Sequence, residues 1–349
     1  MTHKERALAA IGHKRTDRPP LDYFADKRVT ERLLARLGLR DKDELLRYFD
    51  TDVRWIEPFF ANGQGRIAED GKPESCFGFR TVAHDKPDGS IFVEFLDPPL
   101  GKMETLKEIL DHNWPGEGSV FRHDYGEQLE RYKDYATLTG PWCPIFNYSQ
   151  HLRGTEQLFI DMAQSPEIVK AIAGKIADFF MLQAETQFTA MGGKCDIFFT
   201  GDDFSSQRGP LMSLHMFREF YFDLYKRLFG LAHDFGLKTM LHSCGAVSKL
   251  IPMFIEAGVD IIDPVQVRAD GMDIGALKDR FGGVLSFHGA IDQQKLLPFG
   301  EADEVRAAVR LTASTLGEGG GYILCSSHEF QVDTPLDNIL AMYDEAGSL

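Results

Sequence analysis

The chain has 349 residues, of which 43% are hydrophobic, and it carries a formal net charge of −15 at pH 7. This length allows one large domain or two ordinary ones, each with a sizeable core. We expect no membrane span, because no apolar run is long enough to cross a bilayer, and no nucleic-acid partner, because a phosphate backbone would be repelled. The start of the chain lacks the apolar centre of a secretion signal, so we expect a cytoplasmic protein with reduced thiols.

The first part of the chain contains two predicted strands and two predicted helices. The strands are Pro20–Phe24 and Val53–Glu57, and the helices are Thr30–Leu37 and Lys42–Phe49. These assignments follow from the spacing of the apolar residues. They match the strand-and-helix rhythm that the second half of the chain repeats more clearly.

The stretch from residue 61 to residue 132 breaks that rhythm and is rich in Gly, Pro and Asp. Within it, Phe77–Ala83 and Ser90–Leu96 flank a run of turn residues at 85–89 and predict a β-hairpin. We interpret residues 61–132 as an irregular insertion on the catalytic face of the fold. The insertion is either a lid or a loop region without a role in binding.

From residue 135 onwards, continuous apolar strands alternate with amphipathic helices. The predicted strands are Tyr135–Thr139, Cys195–Phe199, Leu237–Leu241, Val259–Ile262, Val284–Phe287 and Tyr322–Leu324. The predicted helices are Ser165–Gly192, Ser213–Phe235, Ala246–Ala257, Met272–Arg280, Glu301–Leu316 and a last one that begins near Pro335. Strands that are apolar on both faces are typical of a parallel sheet covered by helices.

Polar residues repeatedly follow the predicted strands and do not precede them. A (β/α)8 TIM barrel places its active site at that end of its strands. The competing fold is a doubly wound open sheet, whose glycine-rich fingerprint after the first strand is missing after Pro20–Phe24. We therefore predict an α/β fold, a single (β/α)8 TIM barrel over residues 1–349, with the inserted segment on the catalytic face.

Two short stretches that follow strands contain ligands suited to a soft metal ion. His242 and Cys244 are separated by one residue, and Cys325 ends the last predicted strand. Alternate residues at a strand end point the same way, and His and Cys are ligands that zinc prefers. Three protein ligands leave one coordination position open for chemistry. The thiols are also compatible with burial or with a disulfide.

Further polar and aromatic side chains at the strand ends are candidates for catalysis or substrate binding. Asp202 and Asp203 are suited to hold a proton, a substrate cation or a histidine ligand, and equally to cap a helix. Two loop histidines at the catalytic ends of adjacent strands favour a role in the site. The full set is Tyr23, Tyr148, Asp202, Asp203, Gln207, His288 and His328. For each of the tyrosines, ordinary packing is an equally good interpretation.

The segment Gly201–Gly245, with its Gly-Asp-Asp and His-Ser-Cys-Gly motifs, resembles the uroporphyrinogen decarboxylase superfamily. The segment Phe287–Asp292 and the Thr-Pro pair at 334–335 are similar to it as well. This resemblance implies a (β/α)8 barrel. The arginine-rich motif that the porphyrin decarboxylases carry after the first strand is missing here, and Glu57 stands where they have an essential aspartate after the second.

The chain is more similar to the cobalamin-dependent methyltransferase branch of that superfamily. The zinc ligands of that branch are a His-x-Cys pair and a distant Cys, which match His242, Cys244 and Cys325. The resemblance implies that zinc and a corrinoid are the cofactors, and that Asp203 or His328 manages protons or orients His242. The remaining candidates are then expected to bind substrate: Tyr23, Tyr148, Asp202, Gln207 and His288.

The implied reaction moves a methyl group between a small substrate, a methoxylated compound or a thiol, and the corrinoid. The loop with Gln207 is similar to that of members that remove methyl groups from methoxylated compounds. Because we recognise no cobalamin-binding domain in the chain, we expect a separate corrinoid protein to be the partner. Two rival functions stay open: a metal-free decarboxylase of a carboxylic substrate, and a non-catalytic barrel that binds a tetrapyrrole or corrinoid.

Overall fold

Parallel strands and the helices between them form the centre of the structure, a computed structural model that describes residues 1–57, 66–68, 71–85, 91–140, 142 and 144–349. The strands are β1 (Val53–Trp55), β2 (Arg66–Ile67), β3 (Pro73–Glu74), β4 (Thr81–Asp85), β5 (Ile91–Phe95), β6 (Ala136–Thr139), β7 (Ile197–Gly201), β8 (Lys238–His242), β9 (Ile261–Val265), β10 (Ser286–Ile291) and β11 (Tyr322–Ser326).

The helices surround these strands. They are α1 (His3–Ile11), α2 (Lys27–Leu37), α3 (Lys42–Tyr48), α4 (Leu106–Asp111), α5 (Gly126–Arg131), α6 (Ile145–Arg153), α7 (Thr155–Gln164), α8 (Pro166–Met191), α9 (Leu214–Phe217), α10 (Asp223–Asp234), α11 (Ile251–Ala257), α12 (Ile274–Phe281), α13 (Leu296–Phe299), α14 (Ala302–Leu316) and α15 (Leu336–Gly347). A π-helical turn at Arg218–Phe222 joins α9 to α10, which the sequence predicted as one helix. None of the described helices combines the length and the apolarity needed to span a bilayer.

The main sheet pairs its strands in parallel in the order β1-β6-β7-β8-β9-β10-β11. The segment around Leu21 lies between the two ends of this sheet: Leu21 bridges Leu324 in parallel, and its carbonyl accepts from the Asp52 amide at 2.7 Å. Within the predicted strand Pro20–Phe24, Leu21 is the bridged residue, and the bridge is made by the Pro20 carbonyl and the Asp22 amide. The strand order follows the chain without the reversal of a doubly wound sheet, and the predicted (β/α)8 barrel is confirmed.

The inside of the barrel is filled by an apolar layer. Its members are Ile11, Val53, Leu138, Ile197, Phe199, Met240, Ile261 and Ile323. Ile11 comes from α1, which closes the barrel at the amino-terminal ends of the strands. Since side chains alternate along a strand, the residues two positions beyond Met240, Ile261 and Ile323 also face inward. These residues, one layer nearer the carboxyl ends, are His242, Asp263 and Cys325.

From β7 onward the parallel strands extend further toward their carboxyl ends than the hydrophobic pattern predicted, whereas β1 ends at Trp55, two residues before the predicted end. Strand β8 ends at His242, one residue beyond the prediction, and β11 ends at Ser326, two residues beyond it. The ladder continues through polar residues, since Gly201 pairs with His242 and Ala290 pairs with Cys325. The hydrophobic pattern stops at the barrel mouth, but the backbone pairing does not. Several functional side chains therefore lie on rigid strands rather than in loops.

The described part of the insertion contains two antiparallel strand pairs, β2–β3 and β4–β5. The pair β4–β5 corresponds to the predicted hairpin, although its turn at residues 86–90 lies outside the described residues. Phe95 stacks on His151 of α6, with ring centroids 3.4 Å apart. This contact attaches the hairpin to the helix that follows β6. The role of residues 61–132 as a lid stays a prediction.

Candidate metal and active site

His242 lies at the end of β8 and is held from behind by a carboxylate. Its Nδ1 is 2.5 Å from Asp263 Oδ2, so the ring donates from Nδ1 and turns Nε2 toward the barrel mouth. The ring of Trp142 lies 5.5 Å from the ring of His242, centroid to centroid. A histidine whose other nitrogen is bound by a carboxylate has the tautomer and orientation that a metal ligand needs.

Cys244 lies two residues further on, in the turn after β8. Its Sγ is 3.2 Å from His242 Nε2, and its amide donates to Asp203 Oδ1 at 3.0 Å. The turn depends on Gly245, which has φ +92°, and a Cβ there would lie 2.5 Å from the carbonyl oxygen of Ser206. The glycine of the His-Ser-Cys-Gly motif thus allows the close approach that aims the thiol at His242.

His328 completes a three-residue group. One ligand atom each from His242, Cys244 and His328 lie within 4.8 Å of one another. A ring nitrogen of His328 lies within 4.8 Å of the Cys244 sulfur, and the His328 ring lies 5.7 Å from the His242 ring, measured between centroids. His242 is buried, whereas Cys244 and His328 are partly exposed. The group therefore opens toward the mouth of the barrel.

A second histidine shares the carboxylate of Asp263. His288 Nδ1 is 2.5 Å from Asp263 Oδ1, and His288 Nε2 is 3.1 Å from Asp22 Oδ2. Asp263 thus bridges two buried imidazoles, one of which belongs to the three-residue group. This chain of contacts ties the group to β10 and to the segment beside Leu21.

The electrostatics of the group favour a thiolate beside protonated imidazoles. Burial by itself would raise the pKa of Cys244, but His242 and His328 outweigh it and lower that pKa below its ordinary value. Burial would lower the pKa of His242, but the Cys244 thiolate and the Asp263 carboxylate raise it well above its ordinary value. The thiolate is the form that binds a metal ion.

Comparisons with known proteins agree with this architecture. Residues 131–349 match the family described as "Uroporphyrinogen decarboxylase (URO-D)". The chain belongs to this family. A methylated-thiol--coenzyme M methyltransferase of Methanosarcina mazei is 26% identical over an alignment that covers 98% of this chain and 88% of that protein. A solved methyltransferase structure from the same organism superposes with a TM-score of 0.67 at 16% identity and covers 100% of this chain and 99% of its own.

These findings confirm two predictions from the sequence. The uroporphyrinogen decarboxylase superfamily is confirmed by the match over more than half of the chain. The superposed structure confirms the fold. Both similar proteins are methyltransferases by name, in agreement with the branch that the resemblance predicted.

Cys325 lies apart from His242 and Cys244, the other two predicted metal ligands. It is fully buried, it faces the barrel interior above Ile323, and it lies outside the group that His242, Cys244 and His328 form; its Sγ lies 3.9 Å from Ser326 Oγ. Burial raises the pKa of the Cys325 thiol. The structure therefore brings His328, not Cys325, to the His-x-Cys pair. The described cysteines Cys76, Cys195, Cys244 and Cys325 are free thiols, and Cys325 as a ligand stays a prediction.

Asp202 and Asp203 are adjacent but have separate tasks. Asp203 binds the Cys244 amide and is partly exposed. Asp202 is fully buried and accepts hydrogen bonds from the Asn147 amide at 2.9 Å, the Tyr225 hydroxyl at 2.7 Å and the Phe146 amide. It therefore caps the first turn of α6 from a distance. Burial raises the pKa of Asp202 to about 8.

The other predicted substrate-binding residues are divided between the mouth and the core. Gln207 is exposed, and its amide nitrogen donates to Gln266 Oε1 at 3.1 Å, next to Gly245. Tyr23 is buried, with its hydroxyl 2.9 Å from Thr30 Oγ1, and Tyr148 is buried among aromatic rings of the insertion and α8. The structure does not bring the two tyrosines into the three-residue group, and their contact with substrate stays a prediction.

Asp263 and Asp22 are the residues of this site that the sequence analysis missed. Asp263 lies within β9, all of whose residues are buried. Its charged side chain is therefore buried in the protein interior. Buried charges are paired or functional, so an aspartate in a continuous apolar run was a usable signal. Asp22 offered no such signal, since its segment is short and irregular.

Proposed function

We propose that this protein is a zinc-dependent methyltransferase. It moves a methyl group between a small substrate, a methoxylated compound or a thiol, and a corrinoid held by a partner protein. The observation that carries this proposal is the convergence of His242, Cys244 and His328, with ligand atoms within 4.8 Å of one another, at the carboxyl ends of the barrel strands. The full-length similarity to a methyltransferase that acts on a methylated thiol supports methyl transfer.

The donor set fits zinc in chemistry and in spacing. Zinc binds imidazole nitrogen and thiolate sulfur at about 2.0–2.3 Å, which places tetrahedral ligand atoms about 3.3–3.8 Å apart. The Cys244 Sγ to His242 Nε2 distance of 3.2 Å is close to that range. The carboxylate of Asp263 behind His242 is the support that zinc-bound histidines usually have. Cys325, on the same inward face, remains our predicted further ligand.

A zinc ion bound here would supply a Lewis acid that lowers the pKa of a thiol or stabilises a departing alkoxide. The protein's own residues have separate tasks around it. Asp263 orients His242, and Asp203 fixes the Cys244 backbone through its amide. We assign proton exchange with the substrate to His328, because it is partly exposed and adjoins His242 and Cys244. The Trp142 ring shields His242 from water on one side.

The corrinoid and its carrier must approach from the mouth of the barrel. The interior below His242 is filled by apolar side chains, which leaves no room for a macrocycle inside. We therefore propose that a corrinoid protein docks over the carboxyl ends of the strands. In this arrangement residues 1–349 form one barrel domain, and residues 61–132 are an insertion beside that docking face.

The proposal is tested by measuring the zinc content of the purified protein and of two cysteine variants. We expect one zinc per chain in the wild type and loss of zinc in Cys244→Ser. Cys195→Ser is the matched control, because its thiol donates to backbone carbonyls near the opposite ends of the strands and a serine can replace those bonds. Loss of zinc from both variants would contradict a specific site.

Methyl transfer is then assayed with a corrinoid protein and a panel of thiols and methoxylated compounds. We expect turnover by the wild type and none by Cys244→Ser. A zinc-free protein that decarboxylates a carboxylic substrate would establish the rival enzyme. A protein that binds tetrapyrrole without turnover of any substrate would establish the rival binding function.

A further inference from the structure

The three members of the metal-binding group are anchored very differently. His242 lies on β8, and its second ring nitrogen is held by Asp263 at 2.5 Å. The Cys244 amide is held by Asp203 and its turn is fixed by Gly245. In the described part of the chain, no carboxylate accepts a hydrogen bond from the His328 ring, whose contacts are with Cys244 and His242.

The backbone around His328 is nevertheless held by hydrogen bonds. The hydroxyl of Ser326 donates to the His328 carbonyl at 2.5 Å, and the Ser327 amide donates to the Ile291 carbonyl at 2.7 Å. The backbone is therefore held beside the mouth, and a change in the side-chain torsions alone is enough to move the ring. The ring is also partly exposed, so it can move outward without opening the core.

We propose that His328 is a ligand of the bound metal ion in the resting protein, and that it is the ligand that an incoming thiol substrate displaces. This inference rests on the proposed function and assigns the exchangeable coordination position to a named residue. A ligand without a supporting hydrogen bond is the one whose loss leaves the rest of the site intact. His242 and Cys244 stay in place because β8, Asp263 and Asp203 hold them.

The exchange balances without any further reactant. The bond from the ion to the His328 nitrogen breaks, and a bond from the ion to the thiol sulfur forms. The thiol proton passes to the nitrogen that has just been freed. His328 thereby combines the role of a resting ligand with the proton-handling role that the sequence predicted for it, and no oxidant or reductant is needed.

The test uses the full-length protein with its metal replaced by Co²⁺, whose absorption reports the number and type of ligands. We compare the wild type with His328→Ala, and we use His215→Ala as the matched control, because His215 is an imidazole whose side chain is 86% exposed on α9. We expect His328→Ala to change the visible bands of Co²⁺ and added imidazole to restore them. The control should have the wild-type spectrum.

Titration with ethanethiol measures the displacement. If His328 occupies the position nine-tenths of the time, its removal should tighten thiol binding by about tenfold. The new sulfur-to-cobalt band should therefore appear at lower thiol concentration in His328→Ala than in the wild type. His328→Gln is a second variant that repeats the measurement with a larger polar side chain.

The outcomes separate this inference from the function on which it rests. Identical spectra and identical thiol affinities in the wild type and both His328 variants would overturn the inference and leave the zinc site standing. A wild type that binds no stoichiometric Co²⁺ or zinc would overturn the proposed function itself. A changed spectrum that imidazole does not restore would show that His328 acts only through structure, and it would also overturn the inference.

Discussion

Two buried aspartates lie at opposite ends of the barrel, and each accepts hydrogen bonds from more than one side chain. The types of side chain that they bind differ. At the amino-terminal end, Asp52 accepts from Arg6 Nη1 at 2.5 Å, from Arg18 Nη1 at 2.7 Å and from the Leu21 amide at 2.7 Å. At the carboxyl-terminal end, Asp263 accepts from two imidazoles at 2.5 Å each. Each carboxylate bridges side chains from separate elements: Asp52 binds two guanidinium groups and lies 2.9 Å from His3 Nδ1, and Asp263 binds two imidazoles.

The difference lies in the chemistry of those partners. A guanidinium keeps its charge at every pH that a protein meets, so the bridge at Asp52 is permanent and serves stability. An imidazole gains and loses a proton and binds metal ions, so the bridge at Asp263 is adjustable and serves the site. A buried carboxylate shared by side chains from separate elements thus stabilises the base of the barrel at one end. At the other end the same arrangement orients the candidate metal ligand His242.

The largest effect is expected from Asp52→Asn, which removes the charge that Arg6 and Arg18 share. Breaking a buried ion pair costs about 3–5 kcal/mol, and we expect the free energy of unfolding, measured with urea, to fall by about 3 kcal/mol. Asp50→Asn is the control: the Asp50 side chain is 58% exposed and contacts Arg18 from the surface, so its loss should cost less than about 1 kcal/mol. Equal losses would contradict the special role of Asp52.

The same aspartate predicts how stability depends on pH. Burial would raise the pKa of Asp52, but His3, Arg18 and the Leu21 amide lower it below the ordinary value of 3.8. The stabilisation is therefore fully present above pH 3.8 and is lost as the pH falls through the lower, folded-state pKa. The gap in unfolding free energy between wild type and Asp52→Asn should narrow as the pH falls below about 4. A gap that widens on acidification would refute this assignment.

An intermediate effect is expected from Asp263→Asn. The amide cannot accept from both His242 and His288 as the carboxylate does, and the loss of such support typically weakens metal binding by about 10- to 100-fold. Competition with a chelator measures this change. Asp260→Asn is the control, because Asp260 directly precedes β9 at the end far from the mouth and pairs with Lys238 at 2.9 Å and His233 at 2.8 Å. It should change stability without changing zinc affinity.

The smallest effect is expected from Gln207→Ala at the exposed edge of the mouth. Zinc affinity should stay within about twofold and the free energy of unfolding within about 0.5 kcal/mol, since the side chain lies on the surface. If Gln207 binds substrate through one hydrogen bond, kcat/KM for methyl transfer falls by about two- to tenfold. An unchanged kcat/KM would remove Gln207 from the substrate-binding residues.

Much of the barrel could be predicted because several of its strands contain continuous apolar runs. Ile197–Phe199 contains no polar side chain and Tyr322–Leu324 contains only a tyrosine hydroxyl, and local hydrophobicity identifies such strands directly. The place of Leu21 could not be predicted in this way. Its prolines weaken the strand signal, and its partners Leu324 and Asp52 are distant in the chain.

The candidate site shows the same division between local and distant information. His242 and Cys244 are neighbours in sequence, so alternation along the strand was enough to predict their convergence. Alternation also places Cys325 on the inward face, but it does not give the distance across the barrel, and there the structure brings His328 closer. The bridge at Asp263 needs contacts from three strands, which no local pattern contains.

The apolar side chains of Ile11, Met240 and Ile323 fill the barrel beneath His242. The described barrel is therefore accessible from one end, the carboxyl ends of its strands. The small substrate and the corrinoid protein would both reach the site through this opening, and the corrinoid protein would cover it when it docks. Under the proposed function the small molecule therefore enters first and departs last. Steady-state kinetics should follow a compulsory binding order. A high concentration of the corrinoid protein should inhibit the reaction, because it docks before the small substrate has bound.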